Sequence, residues 1–441
     1  MAFEAGDMNI ETREKDGSST AAGAAAPRCR LCGAPLRRTV VDLGMSPPCE
    51  KILQAEEVDE AETYFPLHVL VCDACLLVQL RDYIAPEEIF TEYYYFSSFS
   101  TTWVEHARRY VEMIVPRLGL GPDSLVVEVA SNDGYLLQHF PPHGVPILGV
   151  EPAVNVAEEA RRRGIPTRTE FFSVAAAERM RAEGLAADLI VGNNVVAHVP
   201  DVNDFVGGMV RLLKPDGTIT LEIPHVQKLL EGNQFDTIYH EHFSYYSLLT
   251  LDALARRQAL VLYDVEELPT HGGSLRVYLA HAGSGRTASR TVTELLARER
   301  SAGLDRAENY EWFEHAARKT KRDLLRFMIE AKEQGRTIVG YGAPGKGNTL
   351  LNYCGIGRDF LDFTVDRNVY KHGRFTPGMH IPILPVEAID AARPDYVLIL
   401  PWNLRDEIVA QMARIADWGG KFVVPIPRVA IVDPSEFRTD G

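Results

Sequence analysis

The run LVVEVASNDG, residues 125–134, decides the fold of this chain. Its first five residues are mostly apolar, which is typical of a short buried strand, and the rest is a turn of small and polar residues. A second apolar run at residues 145–150 ends directly before Glu151. A strand, a turn and a second strand that ends in an acid form the pattern of a Rossmann-like unit. We therefore predict a parallel α/β sheet around this run.

The alternation of strand and helix continues after this unit. Residues 152–163 are predicted to form a helix that opens on Pro152 and stops at Gly164. Residues 188–194, DLIVGNN, have the pattern of a buried strand, and Pro-Asp-Gly at 215–217 predicts a turn before the next strand. Such alternation predicts a parallel sheet with helices on both faces.

Length and charge limit the possible classes of protein. A chain of 441 residues is expected to form two or three domains. Its net charge of −15 makes it a poor nucleic-acid binder, because phosphate affinity comes from clustered Lys and Arg. We see no apolar run of about 18 residues and no signal peptide, and expect no membrane contact and a cytoplasmic location. Residues 1–27 are small and polar, and are predicted to be a disordered tail.

Four of the six cysteines form two CxxC pairs, Cys29 with Cys32 and Cys72 with Cys75. Four thiolates with this spacing make the closed tetrahedral site of structural zinc. We expect a zinc-binding module over residues 28–90, in which the ion stabilises the fold and does not catalyse. Redox-active or unligated cysteines are the alternative. A nucleic-acid zinc ribbon is less favoured, because few basic residues surround the second pair.

The densest ionisable cluster is Tyr239-His240-Glu241-His242. Histidine removes protons near neutral pH, glutamate orients an imidazole, and tyrosine donates to a developing oxyanion. The HxH spacing disfavours a metal site, since it differs from the HExxH spacing that puts two imidazoles on one helix face. A structural polar network is another alternative. His198 follows a strand at the edge where α/β sheets bind ligands, with a capping or core role as its alternative.

The loop at residues 128–134 resembles motif I of the class I methyltransferases, in which a turn cradles the methionine part of S-adenosylmethionine. Only Gly134 of the usual glycines is present, so Asn132 and Asp133 are expected to supply side-chain contacts. Glu151 is placed to accept from both ribose hydroxyls, a solvated strand-end charge being the alternative. The predicted cofactor-binding residues are Glu128, Ser131, Asn132, Asp133, Gly134, Glu151, Phe171 and Asn193.

Two of these assignments leave a choice between neighbours. Phe171 or Phe172 is expected to cover the adenine, with a place in the buried core as the equal alternative. Asn193 or Asn194 is expected beside the sulfonium end of the cofactor.

Long, ordered motifs resemble the deoxysugar C-methyltransferase family across residues 28–427. They include the two CxxC pairs, SNDG, GVEP, NNVVAHVPD, FDTIYHEHFSYYS, HGGSLRVY and GYGAPGKGN. The resemblance implies an α/β fold in three parts: the zinc module, a class I methyltransferase domain at residues 91–286, and a second Rossmann-like domain at 287–441. It also implies methylation of carbon 3 of a nucleotide-linked, dTDP-type 4-keto deoxysugar in an antibiotic pathway.

The same resemblance implies residue roles. His242 is the base that removes the C3 proton, which the neighbouring C4 ketone acidifies. Tyr239 or His198 then stabilises the enolate oxygen, and Glu241 lies beside the sugar. A tyrosine of residues 93–95, here assigned as Tyr95, contacts the substrate. The expected partner is the nucleotide sugar, and the protein is expected to be a monomer or small homo-oligomer.

A competing prediction comes from the C-terminal part. Residues 340–345, GYGAPG, match GxGxxG between a strand and a helix, and Asp366 ends the next strand, as in NAD-binding units. Taken alone, this predicts an NAD-dependent nucleotide-sugar dehydrogenase or epimerase. We favour an anchor for the substrate diphosphate through Lys346, Asn348 and backbone N–H groups, with Tyr341 nearby. An inert remnant of the fold is the third alternative.

Overall fold

The computed structural model describes residues 27–81, 84 and 96–434. The predicted tail before Pro27 and the predicted substrate contact Tyr95 lie outside the described residues. The described chain forms three sheets of four, seven and six strands, which confirms the predicted three-part α/β fold.

The N-terminal sheet is antiparallel and is built around a short core. It contains β1 (Arg38–Ser46), β2 (Phe65–Val71) and β3 (Val78–Leu80). Val69 and Val71 of β2 are fully buried, as the alternation of a one-sided strand requires. Their core continues into Leu350 and Leu351 of the C-terminal part, so the zinc module packs against the rest of the protein.

The central sheet is the predicted methyltransferase core. Its segment of the chain supplies β4 (Val126–Val129), β5 (Ile147–Val150), β6 (Thr167–Arg168), β7 (Ala187–Asn193), β8 (Leu213–Pro224), β9 (Ser244–Tyr245), β10 (Leu260–Leu268) and β11 (Ser274–His281). The strand order is β10-β11-β8-β7-β4-β5-β6, and β11 runs antiparallel to both neighbours. β9 leaves this sheet and pairs with β3, which ties the chain just after His242 to the zinc module.

Six helices accompany the central strands. They are α1 (Thr101–Leu118), α2 (Val154–Arg162), α3 (Val174–Ala182), α4 (Val202–Leu212), α5 (Val226–Glu231) and α6 (Leu248–Arg257). Helix α1 begins where the Ser100 hydroxyl accepts from the Trp103 N–H, and ends at Gly119 in the left-handed region, with φ 63°. Its buried face, which includes Tyr110 and Ile114, holds the helix against the sheet.

The predicted turn at residues 215–217 is wrong. The strand β8 runs through these residues, from Leu213 to Pro224. Its pairing with β7 jumps from Ala187 opposite Leu213 to Leu189 opposite Thr218. The Pro-Asp-Gly segment is therefore taken up as a bulge inside a long strand, and not as a break between elements.

The C-terminal part repeats the Rossmann-like plan. Its elements are α7 (Arg290–Ser301), α8 (Trp312–Glu333), β12 (Ile338–Tyr341), α9 (Gly345–Cys354), β13 (Thr364–Val365), β14 (Ile383–Leu384), α10 (Ala388–Ala392), β15 (Tyr396–Ile399), α11 (Arg405–Gln411), β16 (Lys421–Val424) and β17 (Ala430–Val432). The order is β14-β13-β12-β15-β16-β17, and the pairing is parallel except at β17.

Helix α7 lies on the central part, although we predicted a domain boundary at residues 286–287. Its Val292, Leu295 and Leu296 belong to the core around the central sheet. Helix α8 packs instead against β1 and α9. The C-terminal body therefore starts after α7. Among the helices that the structure describes, none is both long and apolar enough to cross a membrane.

Candidate active site and metal centre

The two CxxC pairs meet at one point. Sγ of Cys29 lies 3.4 Å from Sγ of Cys75, and Sγ of Cys32 lies 3.5 Å from Sγ of Cys72. All four sulfurs lie within 4.8 Å of one another. A tetrahedron with Zn–S bonds of about 2.3 Å needs S–S edges of about 3.8 Å, so the four thiolates fit a zinc ion.

The surroundings of the sulfurs also suit a metal-bound thiolate. The Gln79 amide donates to Sγ of Cys29 at 3.1 Å, and the Ala74 N–H donates to Sγ of Cys72 at 3.4 Å. Such donors orient and stabilise anionic ligands. With four sulfur ligands no position is left for a substrate, so the zinc is structural. Within the described residues, no other group of three or more His, Cys, Asp or Glu side chains is close enough to hold a metal.

The loop after β4 has the backbone of a glycine-rich turn with few glycines. Ala130, Asn132 and Gly134 all adopt left-handed φ values, of 57°, 49° and 79°. Alanine pays a steric cost for this conformation, asparagine a smaller one and glycine none. A side chain at Gly134 would also meet Ile165 Cγ1 at 2.6 Å. The resemblance to motif I therefore extends to the backbone, at alternate positions of the loop.

Glu151, at the end of β5, braces this loop. One carboxylate oxygen accepts from the Asn132 N–H at 2.9 Å, and the other accepts from the Ala153 N–H at 2.9 Å. The group lines a cavity of about 510 Å³. Burial raises the pKa of Glu151 to about 7, against the effect of the two N–H donors. Each oxygen keeps acceptor capacity toward the cavity, as ribose binding requires.

The structure divides the predicted cofactor residues into two groups. Side chains that line the cavity are those of Asn132, Glu151, Phe171, Phe172, Asn193 and Asn194. Phe171 is 43% exposed, whereas Phe172 is 8% exposed and packs edge-on against Phe205. Phe171 is therefore the ring available to an adenine, and Phe172 contributes to the core.

Three predicted contacts face away from the cavity. Glu128 is buried within the sheet, where desolvation holds its pKa well above the usual value. Ser131 lies against Gly149, at which a Cβ would come within 2.5 Å of the serine Oγ. Asp133 is also buried and pairs with Arg163 at 3.2 Å. The assignment of these side chains to the cofactor is corrected: they support the loop from behind.

The Tyr239–His242 segment forms the opposite wall of the same cavity. The rings of Tyr239 and His242 lie 4.0 Å apart, and those of His198 and His242 lie 4.7 Å apart. Tyr239, Glu241, His242 and His198 all line the cavity together with the cofactor group. The cofactor wall and the ionisable cluster, 90 residues or so apart in sequence, thus share one space.

His242 is held in one tautomer. Its Nδ1 lies 3.0 Å from the Thr237 carbonyl oxygen, so Nδ1 carries the proton and donates. Nε2 is then the unprotonated, basic nitrogen. Desolvation is the main cause that keeps the pKa of His242 well below 6.5, so the ring is neutral at physiological pH. His198 is neutral too, because desolvation lowers its pKa to about 4.

Glu241 differs from the two neutral histidines in the direction of its pKa shift. Burial, with Glu50 as the next cause, raises the pKa of Glu241 to about 8. Glu241 is therefore largely protonated at neutral pH and is able to donate a hydrogen bond. His240 has another function: its Nε2 lies 3.3 Å from the Phe65 carbonyl oxygen of the zinc module. The two histidines of HxH thus have separate partners.

The C-terminal glycine loop is filled by the chain itself. The Gly345 N–H donates to Glu50 at 2.9 Å, and the Asn348 amide donates to the Cys49 carbonyl at 2.7 Å. Asp366 accepts from the Ala343 N–H at 2.8 Å. A Cβ on Gly345 would already come within 2.6 Å of Glu50. The Gly345 N–H at the start of the helix is therefore used by the zinc module, and the Ala343 N–H of the loop is used by Asp366.

This arrangement corrects the assignment of Asn348 and Tyr341 to the substrate, whereas the assignment of Lys346 remains. Asn348 is fully buried and bound to Cys49, and Tyr341 is a core residue of β12, so neither is available to a diphosphate. Lys346 instead donates to Asn403 at 2.9 Å and lies 4.9 Å over the Trp402 ring. Trp402 in turn donates to Asp236 at 2.7 Å, just before the Tyr239–His242 segment.

Among the residues of the cavity wall that sequence reasoning missed are Glu50, Trp103 and His271. Trp103 stacks on His106 at 4.9 Å and meets His271 edge-on at 5.2 Å. The two glycines after His271 were the available signal, because a glycine pair marks a turn of special backbone geometry. Glu50 gave no local signal, since its partner Gly345 is 295 residues away.

Comparison with known proteins agrees with this geometry. Residues 29–90 match the family described as "Putative zinc binding domain", residues 103–264 a methyltransferase domain, and residues 269–427 a C-methyltransferase C-terminal domain. The C-methyltransferase NovU of Streptomyces niveus is 37% identical over 404 residues, which are 92% of this chain and 96% of that protein. A ubiquinone biosynthesis O-methyltransferase of Bartonella tribocorum is 27% identical over 93 residues, 21% of this chain and 38% of that one.

Solved structures are similar to part of this chain. The magnesium protoporphyrin IX methyltransferase ChlM of Synechocystis, solved with bound S-adenosylmethionine, covers 41% of this chain and 81% of its own, with 13% identity and a TM-score of 0.31.

The fold and the cavity define a class I methyltransferase that uses S-adenosylmethionine and carries a structural zinc module. Within this class, the match over nearly the full length is to NovU, which is a C-methyltransferase. The chain belongs to the C-methyltransferase family.

Proposed function

We propose that this C-methyltransferase methylates carbon 3 of a nucleotide-linked 4-keto deoxysugar, such as a dTDP sugar, through an enolate formed by His242. The observation that carries the proposal is the fixed tautomer of His242 on the cavity wall opposite Glu151. A carbon nucleophile must be created by proton removal, and His242 Nε2 is a neutral base held in place for this step. We also propose that the reaction serves antibiotic deoxysugar synthesis in the cytoplasm.

The chain's residues divide the work along the cavity. His242 Nε2 takes the C3 proton, which the C4 ketone acidifies. Tyr239 and Glu241 are both protonated at neutral pH, because burial raises their pKa values, and each donates a hydrogen bond as charge develops on the ketone oxygen. His198 is a further neutral imidazole beside the base.

S-adenosylmethionine, when bound along Glu151, Asn132 and Asn193, supplies the electrophilic methyl group that the enolate carbon receives. Glu151 accepts from the ribose hydroxyls, and Phe171 covers the adenine. Lys346, next to Trp402 and Asp236, attracts the diphosphate of the nucleotide sugar through its charge. Asn348 and Tyr341 have no part in this binding.

The NAD-dependent dehydrogenase or epimerase has no support. The C-terminal loop that would hold the dinucleotide is closed by Glu50, and Asp366 is turned onto the loop's own N–H group. The relative found over nearly the whole chain is a C-methyltransferase.

One mass-spectrometric experiment tests the proposal. The enzyme is incubated with S-adenosylmethionine and a panel of nucleotide 4-keto sugars that carry deuterium at C3. The expected result is a gain of one methyl group with loss of the C3 deuterium. Methyl gain with retention of that deuterium would place the reaction on another atom, and no methyl gain on any nucleotide sugar would refute the substrate class.

A further inference from the structure

The short turn between β10 and β11 carries a histidine in a conformation that histidine rarely adopts. His271 has φ 54° and ψ 25°, in the left-handed region. Such a backbone is costly for a residue with a Cβ, and it persists only where surrounding contacts impose it. Strain of this kind concentrates at functional sites, so its location in the molecule matters.

His271 lies on the wall of the catalytic cavity. The described chain has nine non-glycine residues with positive φ, and four of them, Ala130, Asn132, Asn194 and His271, line this one cavity. The first three belong to the cofactor loop and to the end of β7. His271 is the fourth, and it stands at the carboxyl end of β10, beside Pro224 at the end of β8.

The turn is fixed by contacts on every side. The Gln234 amide donates to the Gly272 carbonyl at 3.1 Å, and the His225 N–H donates to the Gly273 carbonyl at 3.0 Å. The Thr270 hydroxyl donates to Glu222 at 3.1 Å. A Cβ on Gly273 would come within 2.6 Å of Lys228 Cγ. Several contacts from other segments therefore hold His271 in this conformation.

A charged network supports the ring from behind. Glu222 is fully buried and binds His106 at 2.9 Å and Arg276 at 2.9 Å. His106 stacks on Trp103 at 4.9 Å, and Trp103 meets His271 edge-on at 5.2 Å. Trp103 thus fixes the plane of the His271 ring, while its own plane is fixed by His106.

The His271 imidazole is available to a ligand. It is exposed to the cavity, and no described residue forms a hydrogen bond with its nitrogens. His198 and His242 line the same cavity as His271, so the three rings surround one space. Desolvation, with a contribution from Lys346, lowers the pKa of His271 to about 4, so it has one donor and one acceptor nitrogen at neutral pH.

We propose that His271 is a substrate-contacting residue, whose imidazole hydrogen-bonds to the sugar next to the carbon that is methylated. This inference rests on the proposed function. It adds a third wall to the sugar site, formed by the β10–β11 turn, beside the walls formed by His198 and by the Tyr239–His242 segment. The strained backbone is what aims the ring at the sugar.

The test compares His271→Gly and His271→Asn with the wild-type protein. Glycine and asparagine both tolerate the left-handed backbone, so both variants are expected to fold, with thermal midpoints close to that of the wild type. We expect kcat/KM for the nucleotide keto sugar to fall by at least tenfold. The Kd for S-adenosylmethionine, from calorimetry, is expected to stay within twofold.

A second readout separates a sugar contact from other roles. With S-adenosylhomocysteine in place of the methyl donor, the wild type is expected to exchange the C3 hydrogen of the sugar for solvent deuterium. His271→Gly is expected to slow this exchange as much as it slows methylation, because the sugar is present in both reactions. Unchanged exchange, an equal loss of S-adenosylmethionine affinity, or activity within twofold of wild type would each overturn the assignment.

The wild-type protein separates this inference from the proposed function. If it neither methylates nor exchanges any nucleotide 4-keto sugar, both are overturned. If it does both reactions and the His271 variants match it, only the role of His271 is overturned. Met113→Leu, on the face of α1 that contacts Tyr278, is a control expected to leave all readouts unchanged.

Discussion

The central and C-terminal parts share a Rossmann-like arrangement of strands, loop and strand-end acid, but the two loops have different surroundings. In both, five strands follow the order 3-2-1-4-5, and the second strand ends in an acid that accepts two N–H groups. Glu151 accepts from Asn132 in the loop and from Ala153, two residues after itself. Asp366 accepts from Ala343 in the loop and from Asn368, again two residues after itself.

The central and C-terminal loops differ in what packs against them. The central loop opens on the cavity that the Tyr239–His242 segment also lines. The C-terminal loop receives Glu50 and Cys49 of the zinc module, and the Glu50 carboxylate occupies the helix N-terminus that would attract a phosphate. A glycine-rich motif on the right fold therefore does not define a cofactor site. Whether such a loop is a cofactor site depends on how the rest of the chain packs against it.

The largest expected difference between the two parts concerns their histidines. His242→Gln keeps the size of the side chain but removes the base, and we expect methyl transfer to fall by about 10³-fold. His372→Gln is the matched change in the C-terminal part, where Nε2 of His372 donates to the Asp366 carbonyl at 2.7 Å. It is expected to leave the rate within twofold. Steady-state rates of methyl transfer decide, and full activity of His242→Gln would remove the base assignment.

A smaller expected effect compares the two strand-end acids. Glu151→Gln removes the charge that accepts from the ribose, and we expect the Kd for S-adenosylmethionine to rise about thirtyfold, or about 2 kcal/mol. Asp366→Asn is expected to change this Kd less than twofold, since its loop is closed by Glu50. Isothermal titration calorimetry measures both. Equal effects of the two substitutions would show that the parts are not functionally distinct.

The pH dependence of cofactor binding sharpens the same contrast. Burial raises the pKa of Glu151 to about 7, and the ionised form is the better acceptor for ribose hydroxyls. Affinity for S-adenosylmethionine should therefore fall as pH drops through about 7, toward the about thirtyfold loss expected for the uncharged Glu151→Gln, and level off above it. Glu151→Gln should abolish this dependence. A wild-type affinity that is flat between pH 5.5 and 8 would contradict the assignment.

Glu50→Gln tests the closure of the C-terminal loop. The substitution removes the anion at the start of α9, and we expect the free energy of unfolding to fall by about 1–2 kcal/mol. Glu56→Gln, an exposed change in the same module, is expected to cost less than about 0.5 kcal/mol. Chemical denaturation measures both. We also expect that Glu50→Gln gains no NAD binding; appearance of NAD binding would show that Glu50 alone separates the two parts.

Local patterns were sufficient to predict much of the site. The CxxC pairs, the acid at the end of β5 and the Tyr239–His242 cluster each follow from spacing over a few residues. The α/β alternation predicted the parallel sheet and the carboxyl edge at which the ligands meet, and the family resemblance implied the division into three parts. The predicted turn at 215–217 failed because the long pairing of β8 with β7 absorbs a Pro-Asp-Gly segment as a bulge.

Contacts between distant segments were not predictable in this way. Nothing near Gly345 indicates that Glu50, 295 residues earlier, takes the place of a phosphate. The direction of a side chain in a tight loop is equally hidden: Asn132 lines the cavity, while the next residue, Asp133, turns away to Arg163. The strained backbone of His271 depends on contacts from three other segments.

The smallest expected effect concerns the loop backbones. Ala130→Gly relieves a left-handed alanine, worth about 1 kcal/mol, but adds chain entropy of about 0.5–1 kcal/mol to the unfolded state. The free energy of unfolding should therefore change by less than about 1 kcal/mol, with unchanged affinity for S-adenosylmethionine. Gly342→Ala is the reverse change in the C-terminal loop, where φ is 88° and a Cβ would lie 2.6 Å from Pro401 Cδ. It gains strain and a clash together, so it should destabilise clearly in the same denaturation experiment. If Ala130→Gly proved as destabilising as Gly342→Ala, the methyl group of Ala130 would be a needed contact of the cofactor loop, and its glycine-like backbone would not explain its conformation.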